Sequence, residues 1–199
     1  WLEERGVKVV TVTHDVPFPK TKGVFIPAYT LKGDEYGILR RSCTQRWKIA
    51  PVRRWLQSHR NGQQVEMWFG ITLDEWSRMR DSDVKYIRNT YPFMEMEPPM
   101  NRHAVMRWLL DNGLDIPVKS ACTFCPYHNL EAWREIKLLG DGDWHEAVEI
   151  DQAIRNKRPG YQCFVHPARV PLDRVDLRNE QDHGQLELWG EECTGNCFL

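Results

Sequence analysis

The first hydrophobic run lies near the start of the 199-residue chain, where β-branched residues dominate residues 7–13. A nearly continuous apolar run is typical of a strand covered on both faces, as in a parallel sheet. Residues 14–37 are rich in Pro, Gly and Lys and predict a long loop, of the kind that is functional or mobile in compact domains. Residues 44–59 place apolar side chains at helical spacing, and Pro51 should kink this helix or lie near its first turn.

The next apolar run, at residues 64–71, predicts a second strand. Thr72 and Glu75 follow with the spacing of an N-cap and its capping-box partner, so a short helix should begin there. Residues 86–96 then predict a further strand or extended segment, which a Pro-Pro pair interrupts.

A capped helix is predicted after that pair. Asn101 is its expected N-cap, the helix continues to residue 110, and the Asn-Gly pair at 112–113 would end it. The order strand, helix, strand, helix predicts an α/β fold with a parallel sheet.

The pattern changes after Pro117, where a Cys-x-x-Cys turn precedes a helix whose apolar positions include Trp133 and Leu138. A second helix is expected over residues 144–154, and from residue 157 onward the chain is irregular. Seven tryptophans lie mostly at core spacing and are interpreted as packing residues rather than as platforms for base stacking. They are Trp47, Trp55, Trp68, Trp76, Trp108, Trp133 and Trp144.

The composition, 41% hydrophobic and 28% charged with a formal net charge of -1, is typical of a soluble globular protein. No apolar run approaches the roughly 20 residues that span a bilayer, and no signal-peptide pattern is present. We therefore expect a cytoplasmic protein with no membrane partner. The chain begins at Trp1, and its first six residues resemble the end of a helix, from which we expect an upstream segment.

One stretch is locally basic although the net charge is small. It contains Arg40, Arg41, Arg46, Lys48, Arg53, Arg54 and Arg60. Such a run is typical either of a solvated helix face or of a phosphate-binding patch, and the sequence leaves both interpretations open.

The most specific local signal is the turn Cys122-Thr-Phe-Cys125-Pro. Two thiolates three positions apart can hold one metal ion or two irons of a cluster. Two buried thiols or a redox dithiol are the alternatives. The other possible ligands are Cys43, His128, Cys163, Cys193 and Cys197, of which His128 and Cys163 are the weaker candidates. No second Cys-x-x-Cys lies at zinc-ribbon spacing, so a [4Fe–4S] cluster is favoured and zinc is the alternative.

Three blocks of the sequence resemble a known family: residues 41–51 around Cys43, residues 70–78, and residues 119–127 around the Cys-x-x-Cys turn. They are similar to the phosphoadenosine-phosphosulfate reductase-like proteins of the adenine nucleotide α-hydrolase (PP-loop ATP pyrophosphatase) superfamily. The end of the chain, residues 191–197, resembles a subgroup carried by bacteria and phages. The resemblance extends over nearly the whole chain.

This resemblance implies a Rossmann-like parallel sheet that binds an adenine nucleotide, either ATP or a sulfonucleotide. It divides the chain into a nucleotide-binding-type α/β core at 1–117, incomplete at its N-terminus, and a helical, cysteine-bearing region at 118–199 packed on that core. It also implies a cluster held by Cys43, Cys122 and Cys125 with Cys193 or Cys197 as the fourth ligand. The family's phosphate loop, a serine–glycine–glycine motif, does not occur in this sequence and is expected upstream.

The resemblance implies further site residues. The expected catalytic residues are Lys48, Asp74, Glu75 and Arg78, and the expected cofactor-binding residues are Val10, Thr11, Arg41 and Gly70. Asp74 and Glu75 could bind Mg²⁺ or order Arg78, and a helix cap with a local ion pair is the alternative. Lys48 and Arg41 either neutralise phosphates or are two surface cations.

The expected function is therefore sulfur transfer or sulfonucleotide reduction by an enzyme that uses an adenine nucleotide and an iron–sulfur cluster. Its partners would include a nucleic-acid acceptor or a protein that donates sulfur or electrons, and a homodimer is one expected assembly. The alternative is a non-catalytic, metal-stabilised module that binds nucleic acid or protein and has lost the phosphate loop. Residues 40–60 would then form its contact surface.

Overall fold

The structure is a computed structural model that describes residues 2–16, 18–117, 120–140, 142–179 and 182. Two compact units form within these residues. The described parts of 1–14 and 44–120 make the first unit, and those of 15–43 and 121–199 make the second. The segment 15–43, which we assigned to the N-terminal core, thus belongs to the unit that holds the Cys-x-x-Cys turn. Within the described residues, no helix has the length and apolar character needed to cross a membrane.

Five strands and five α-helices are present in the described chain. The strands are β1 (Tyr29–Lys32), β2 (Glu35–Ile38), β3 (Val65–Trp68), β4 (Ile87–Thr90) and β5 (Gln162–Phe164). The helices are α1 (Ala50–His59), α2 (Pro92–Glu95), α3 (Arg102–Asp111), α4 (Leu130–Leu139) and α5 (Asp143–Ile154). Short 3₁₀ turns lie at Glu3–Arg5, Leu73–Arg78 and Leu172–Arg174, and a π-helical turn lies at Gln45–Ile49.

The first unit contains a parallel pair, β3 and β4, with Val65 opposite Ile87 and Trp68 opposite Thr90. Both strands were predicted from the sequence, although they are shorter than expected. The chain is α/β, but its parallel sheet has only two described strands, so a Rossmann-like sheet is not confirmed.

The helix predicted over residues 44–59 is present, because helical residues run from 43 through a π-helical turn into α1 and end at His59. Pro51 is buried near the start of α1, but helical residues 43–49 precede it without a break, so it lies inside a continuous helix. The π-helical turn at Gln45–Ile49 directly precedes α1. Because proline clashes with the carbonyl four residues earlier in a regular helix, a wider turn at this point accommodates the ring.

Helix α3 has the termini that the sequence predicts. The Asn101 side chain accepts a hydrogen bond from the Ala104 amide at 2.8 Å, as an N-cap should. Gly113 has φ of +67° just beyond the last turn, a conformation that glycine adopts without strain. Thr72 differs, because its side chain makes no capping bond to the 3₁₀ turn that follows it.

The second unit is built on an antiparallel sheet in the order β2-β1-β5. Strands β1 and β2 form a hairpin closed by Gly33 and Asp34, between the paired residues Lys32 and Glu35. Gly33 has φ of +56°, which suits glycine at the first position of a two-residue hairpin loop.

Helices α4 and α5 pack on this sheet around a shared hydrophobic core. Its fully buried members are Trp133, Ala147, Ile154, Cys163, Val165, Leu172 and Ala28. Asp151 is also buried, at 1% exposure, and ties three elements together. Its carboxylate accepts hydrogen bonds from the Val165 amide at 2.9 Å and the Leu172 amide at 3.1 Å, and it pairs with Arg155.

Three predictions of secondary structure are wrong. Residues 7–13 form no strand, because β-branched composition is only a propensity and no described strand pairs with them. Their valines are correspondingly exposed, with Val9 at 48%. The predicted loop at 14–37 contains β1 and most of β2, and the irregular region after residue 157 contains β5.

The interpretation of the tryptophans as core residues is also wrong in part. Trp133 is fully buried, whereas Trp68, Trp76 and Trp108 are 70%, 65% and 53% exposed. Leu138, which we assigned to the apolar face of its helix, is 81% exposed. Spacing alone does not identify the buried face of a short helix or strand when its packing partner is unknown.

Candidate metal centre

The Cys-x-x-Cys segment forms a tight turn closed by its own backbone. The Cys125 amide donates to the Cys122 carbonyl at 3.0 Å, and the His128 amide donates to the Cys125 carbonyl at 3.1 Å. The His128 ring adds a third closure, because its Nε2 lies 2.7 Å from the Cys122 carbonyl oxygen. Two successive turns therefore hold both cysteines on one short loop in front of helix α4.

Side chains from distant parts of the second unit anchor this loop. Pro126 is fully buried, and its carbonyl accepts a 3.4 Å hydrogen bond from the Tyr29 hydroxyl of β1. Phe124 stacks on Phe18 with ring centroids 5.4 Å apart. Thr123 donates to Glu146 of α5 at 2.8 Å. The loop is thus fixed from several sides, while Cys122 remains exposed and Cys125 half-buried.

Cys43 belongs to the same compact unit, 79 positions before Cys122. It is half-buried and packs against the hydrophobic core, as does Phe124 between the two turn cysteines. The preceding Ser42 is fixed by two bonds to the Phe25 carbonyl, from its amide at 3.2 Å and from its hydroxyl at 3.0 Å. The fold therefore attaches all three predicted ligands Cys43, Cys122 and Cys125 to one core.

The donor set fits one half of a thiolate metal site. No disulfide joins the four described cysteines, and two thiols at the ends of one rigid turn suit iron or zinc. Within the described ranges, however, no three His, Cys, Asp or Glu side chains are grouped closely enough to hold a metal ion. The predicted ligands Cys193 and Cys197 lie outside the described residues.

A buried aromatic group lies next to the turn. Trp133 of α4 meets the His128 ring edge-on at 4.9 Å and the His166 ring at 6.2 Å. The Trp133 indole N–H is buried and finds no hydrogen-bond acceptor among the described residues. Burial lowers the pKa of His166, which favours the neutral imidazole. His166 carried no sequence signal, because only the fold brings it to Trp133.

Cys163, a weaker ligand candidate, is a core residue on β5 with no exposed surface. Burial raises the pKa of its thiol, outweighing the opposing effects of Arg158 and Arg155. Because the thiolate is the form that binds metals, this environment favours a structural thiol.

The expected catalytic carboxylates have local partners in the first unit. Glu75 forms a 2.6 Å ion pair with Arg78, which is the local pair that the sequence left open. Asp74 accepts from the Arg102 amide at the start of α3, and this bond is the main reason why its pKa is lowered. Asp74 therefore binds the first turn of α3, and Glu75 forms an ion pair within its own 3₁₀ turn. Lys48, the fourth expected catalytic residue, lies exposed on the π-helical turn.

The expected cofactor-binding residues are divided between the units. Val10, Thr11 and Gly70 lie in the first unit, and Arg41 lies in the second. Val10 and Thr11 are exposed on an extended segment, and Gly70 follows strand β3.

The basic stretch of residues 40–60 is also divided between the two units, because the second unit ends at residue 43 and the first resumes at residue 44. Two of its members already have local partners: Arg53 pairs with Asp83, and Arg60 lies over the Tyr86 ring at 4.6 Å. These contacts match the interpretation of a solvated helix face for that part of the stretch.

Comparisons with known proteins do not assign the chain to a family. A scan against protein-family models, a search of curated proteins and a search of solved structures each found no match. The resemblance to phosphoadenosine-phosphosulfate reductase-like proteins therefore depends on the sequence blocks around Cys43, Gly70 and Cys122.

Proposed function

We propose that the chain is a phosphoadenosine-phosphosulfate reductase-like protein whose cysteines hold an iron–sulfur cluster used in sulfur transfer or sulfonucleotide reduction. The observation that carries the proposal is the common attachment of Cys43 and the Cys122–Cys125 turn to one hydrophobic core. These are the cysteines of two of the three resembling blocks, and 79 residues separate Cys43 from Cys122.

The proposal gives each of these residues a role. Cys122, Cys125 and Cys43 would hold the cluster, with Cys193 or Cys197 as fourth ligand, and zinc is the alternative metal. A bound cluster would supply electrons or an iron that binds sulfur. His128 would position the turn through the Cys122 carbonyl, and the Phe18–Phe124 stack would exclude water from one side.

The adenine nucleotide belongs to the same proposal. It would be ATP or a sulfonucleotide, with Mg²⁺ as a companion ion of its phosphates. Arg41 is an exposed cation two residues before Cys43 in the same unit, and it is the proposed phosphate contact.

Anaerobic purification followed by iron, zinc and acid-labile sulfide analysis tests the metal. We expect a coloured protein whose iron and sulfide match a [4Fe–4S] cluster. Cys122→Ala and Cys125→Ala should each lose it, because each removes half of the two-thiolate turn. A colourless protein holding stoichiometric zinc would contradict the cluster, and a protein without metal would contradict the site.

Calorimetric titration of the same preparation with ATP and with a sulfonucleotide tests the nucleotide. Nucleotide binding that Arg41→Gln weakens supports the reductase-like assignment. Absence of binding by metal-loaded protein would contradict it and leave the metal assignment intact.

A second candidate is a non-catalytic, metal-stabilised module. The described parallel sheet favours this candidate, because it has two strands, whereas the parallel sheet of a nucleotide-binding α/β core has more. This candidate predicts metal without nucleotide binding, so the same two measurements separate it from the enzyme.

A further inference from the structure

One face of the β2-β1-β5 sheet carries aromatic side chains. Tyr29 lies opposite Ile38 on β2 and opposite Phe164 on β5, and Leu31 lies opposite Tyr36 and Gln162. Directly paired residues share a face, and so do residues two apart on one strand. Tyr36 and Ile38 are 68% and 49% exposed on this face. The opposite face carries Thr30 and Cys163, which are buried.

Arginines lie over these rings. The Arg169 guanidinium is 5.5 Å from the Tyr29 ring centroid and 4.9 Å from that of Tyr36. Its Nε and Nη1 donate to the Thr30 carbonyl at 3.2 Å and the Pro167 carbonyl at 2.9 Å, which fix the group in place. Arg155 lies over the Phe164 ring at 3.8 Å. Stacked guanidinium and phenol groups present flat surfaces to solvent at fixed positions.

A second aromatic and cationic group lies at the hairpin end of the sheet, around Lys32, which alternation along β1 places on the Thr30 face. The Tyr161 ring has Arg158 at 4.6 Å and Lys32 at 5.4 Å from its centroid. Two like charges at one ring repel each other, and no carboxylate within the described chain forms an ion pair with either. Glu35 lies opposite Lys32 in the hairpin register without such a contact. An anionic ligand would relieve this repulsion.

Two open depressions adjoin beside β5; Arg169, Arg155 and Phe164 of the first group line one, and Tyr161, Arg158 and Lys32 of the second group line the other. Their volumes are about 540 and 530 Å³, and both are lined by Asn156 and Gln162, so they adjoin. Their lining contains a single carboxylate, that of Asp173. The cations lining them are Lys32, Arg155, Arg158, Arg169 and Arg174. Each depression falls within the 300–1,000 Å³ of typical small-ligand sites.

We propose that this surface, hereafter the sheet platform, binds single-stranded nucleic acid. Cations lining the depressions would contact successive phosphates, while the exposed Tyr36 ring beside Arg169 and the half-buried Tyr161 ring would stack with bases. Separate phosphate and base contacts are what an unpaired strand requires, whereas in a duplex the base faces are already stacked. The proposal goes beyond the cluster enzyme and does not depend on it, because none of the cysteines lines the platform.

Fluorescence anisotropy with a labelled oligothymidylate of about 12 nucleotides tests the proposal on the 199-residue chain. Tyr36→Ala should weaken binding about fivefold or more, as expected for loss of one base–aromatic stack. Arg158→Gln should weaken binding and lower the slope of log K against log salt by about 0.7. Both side chains are on the surface, and circular dichroism verifies that the variants fold.

Two control variants remove a cation and an aromatic ring from other parts of the surface. Lys137→Gln deletes an exposed cation on α4 of the same unit, and Trp108→Ala deletes a 53% exposed aromatic ring on α3. Neither lines the depressions or contacts Arg169 as Tyr36 does, so neither should change affinity by more than about twofold. Metal content measured in the same preparations separates loss of oligonucleotide binding from loss of the metal site.

Several results would overturn the sheet platform. Absence of oligonucleotide binding by the wild-type chain at low salt would do so directly. Equal affinity in Tyr36→Ala, Arg158→Gln and the controls would place binding elsewhere. Equal affinity for a duplex, combined with no effect of Tyr36→Ala, would remove the base-stacking role. Tighter binding of an acidic peptide of matched charge would identify a protein surface instead.

Discussion

Asp151 offers the sharpest test of how the second unit is held together. Its carboxylate is 1% exposed, and it accepts two backbone N–H groups, from Val165 after β5 and from Leu172 in the last 3₁₀ turn. It also pairs with Arg155, whose side chain is 14% exposed. Asp151→Asn keeps the shape of the side chain but replaces one acceptor oxygen with a donor.

The expected loss of stability follows from these contacts. An amide can satisfy only one of the two backbone N–H groups, and a buried unsatisfied donor costs about 1–3 kcal/mol. Arg155 also loses its counter-charge, and breaking a buried ion pair costs about 3–5 kcal/mol. This loss is offset because the variant no longer buries a carboxylate. Because burial outweighs the pairing with Arg155 and raises the pKa of Asp151, the remaining loss is that of the unsatisfied N–H, about 1–3 kcal/mol, or a Tm lower by about 2–12 °C.

The pH dependence has a definite sign. Burial raises the pKa of Asp151 above its ordinary value of about 3.9, outweighing the hydrogen bonds and Arg155 that lower it. The folded state therefore binds this proton more tightly than the unfolded state does. The contribution of Asp151 to stability is complete below about pH 3.9 and is lost as pH rises through the raised folded-state pKa. The advantage of wild type over Asp151→Asn should shrink across that window.

Urea unfolding followed by circular dichroism, repeated at several pH values, measures both effects. Glu149→Gln is the control, because Glu149 is an exposed carboxylate on the same helix and should change stability by less than about 0.5 kcal/mol. If Asp151→Asn were as stable as that control, the carboxylate would not be the tie between α5, β5 and the last 3₁₀ turn.

Three further predictions concern reactivity, acid sensitivity and capping. In metal-depleted protein, iodoacetamide should modify Cys122, which is exposed. It should leave Cys163 intact, because burial raises the pKa of the Cys163 thiol. Mass spectrometry of the digested protein would show the reverse if the two environments were misassigned. Burial lowers the pKa of His166, so its contribution to stability is present above about pH 6.5 and is lost as pH falls through the lowered folded-state pKa. His166→Phe should therefore flatten the change in Tm between pH 7 and 5. An unchanged dependence of Tm on pH would exclude His166 as the source of that dependence. Asn101→Ala should lower the free energy of unfolding, measured by thermal unfolding, by about 1 kcal/mol, because the Ala104 amide loses the side chain that caps it. An unchanged free energy of unfolding would mean that water replaces this hydrogen bond fully.

Elements with local punctuation were predictable from the sequence. Helix α3 has an asparagine before it and Asn-Gly after it, and helix α4 ends at Gly140, which has φ of +61°. These signals act within a few residues, so no knowledge of the rest of the fold is needed. The same holds for the Cys122–Cys125 turn, whose closing contacts, the two backbone hydrogen bonds and the His128 ring contact, are made within residues 122–128.

Features that depend on distant pairing were not predictable. Residues 7–13 have the composition of a strand, but a strand needs a partner and no described strand provides one. Strand β1 pairs with β5 across more than a hundred residues, and both lie in segments whose prolines and glycines indicate loops. The hairpin signal Gly33-Asp34 was present but was masked by similar residues around it.

The candidate site shows the same limit. The sequence identifies which cysteines could be ligands, but not that Cys43 packs on the core that carries Phe124. It also gives no indication that Tyr29 holds the turn through Pro126, or that Arg169 lies between Tyr29 and Tyr36. These contacts join residues about a hundred positions apart, and only the folded chain brings them together.

The most direct test of the proposed metal centre compares two cysteines that pack in the same core. Cys43→Ala and Cys163→Ala each remove one thiol from that core, so packing losses are similar in kind. Iron and acid-labile sulfide per chain are measured after anaerobic purification of both variants and of wild type. The account predicts loss of metal in Cys43→Ala and full metal in Cys163→Ala. Full metal in Cys43→Ala would contradict a centre shared between Cys43 and the Cys122–Cys125 turn.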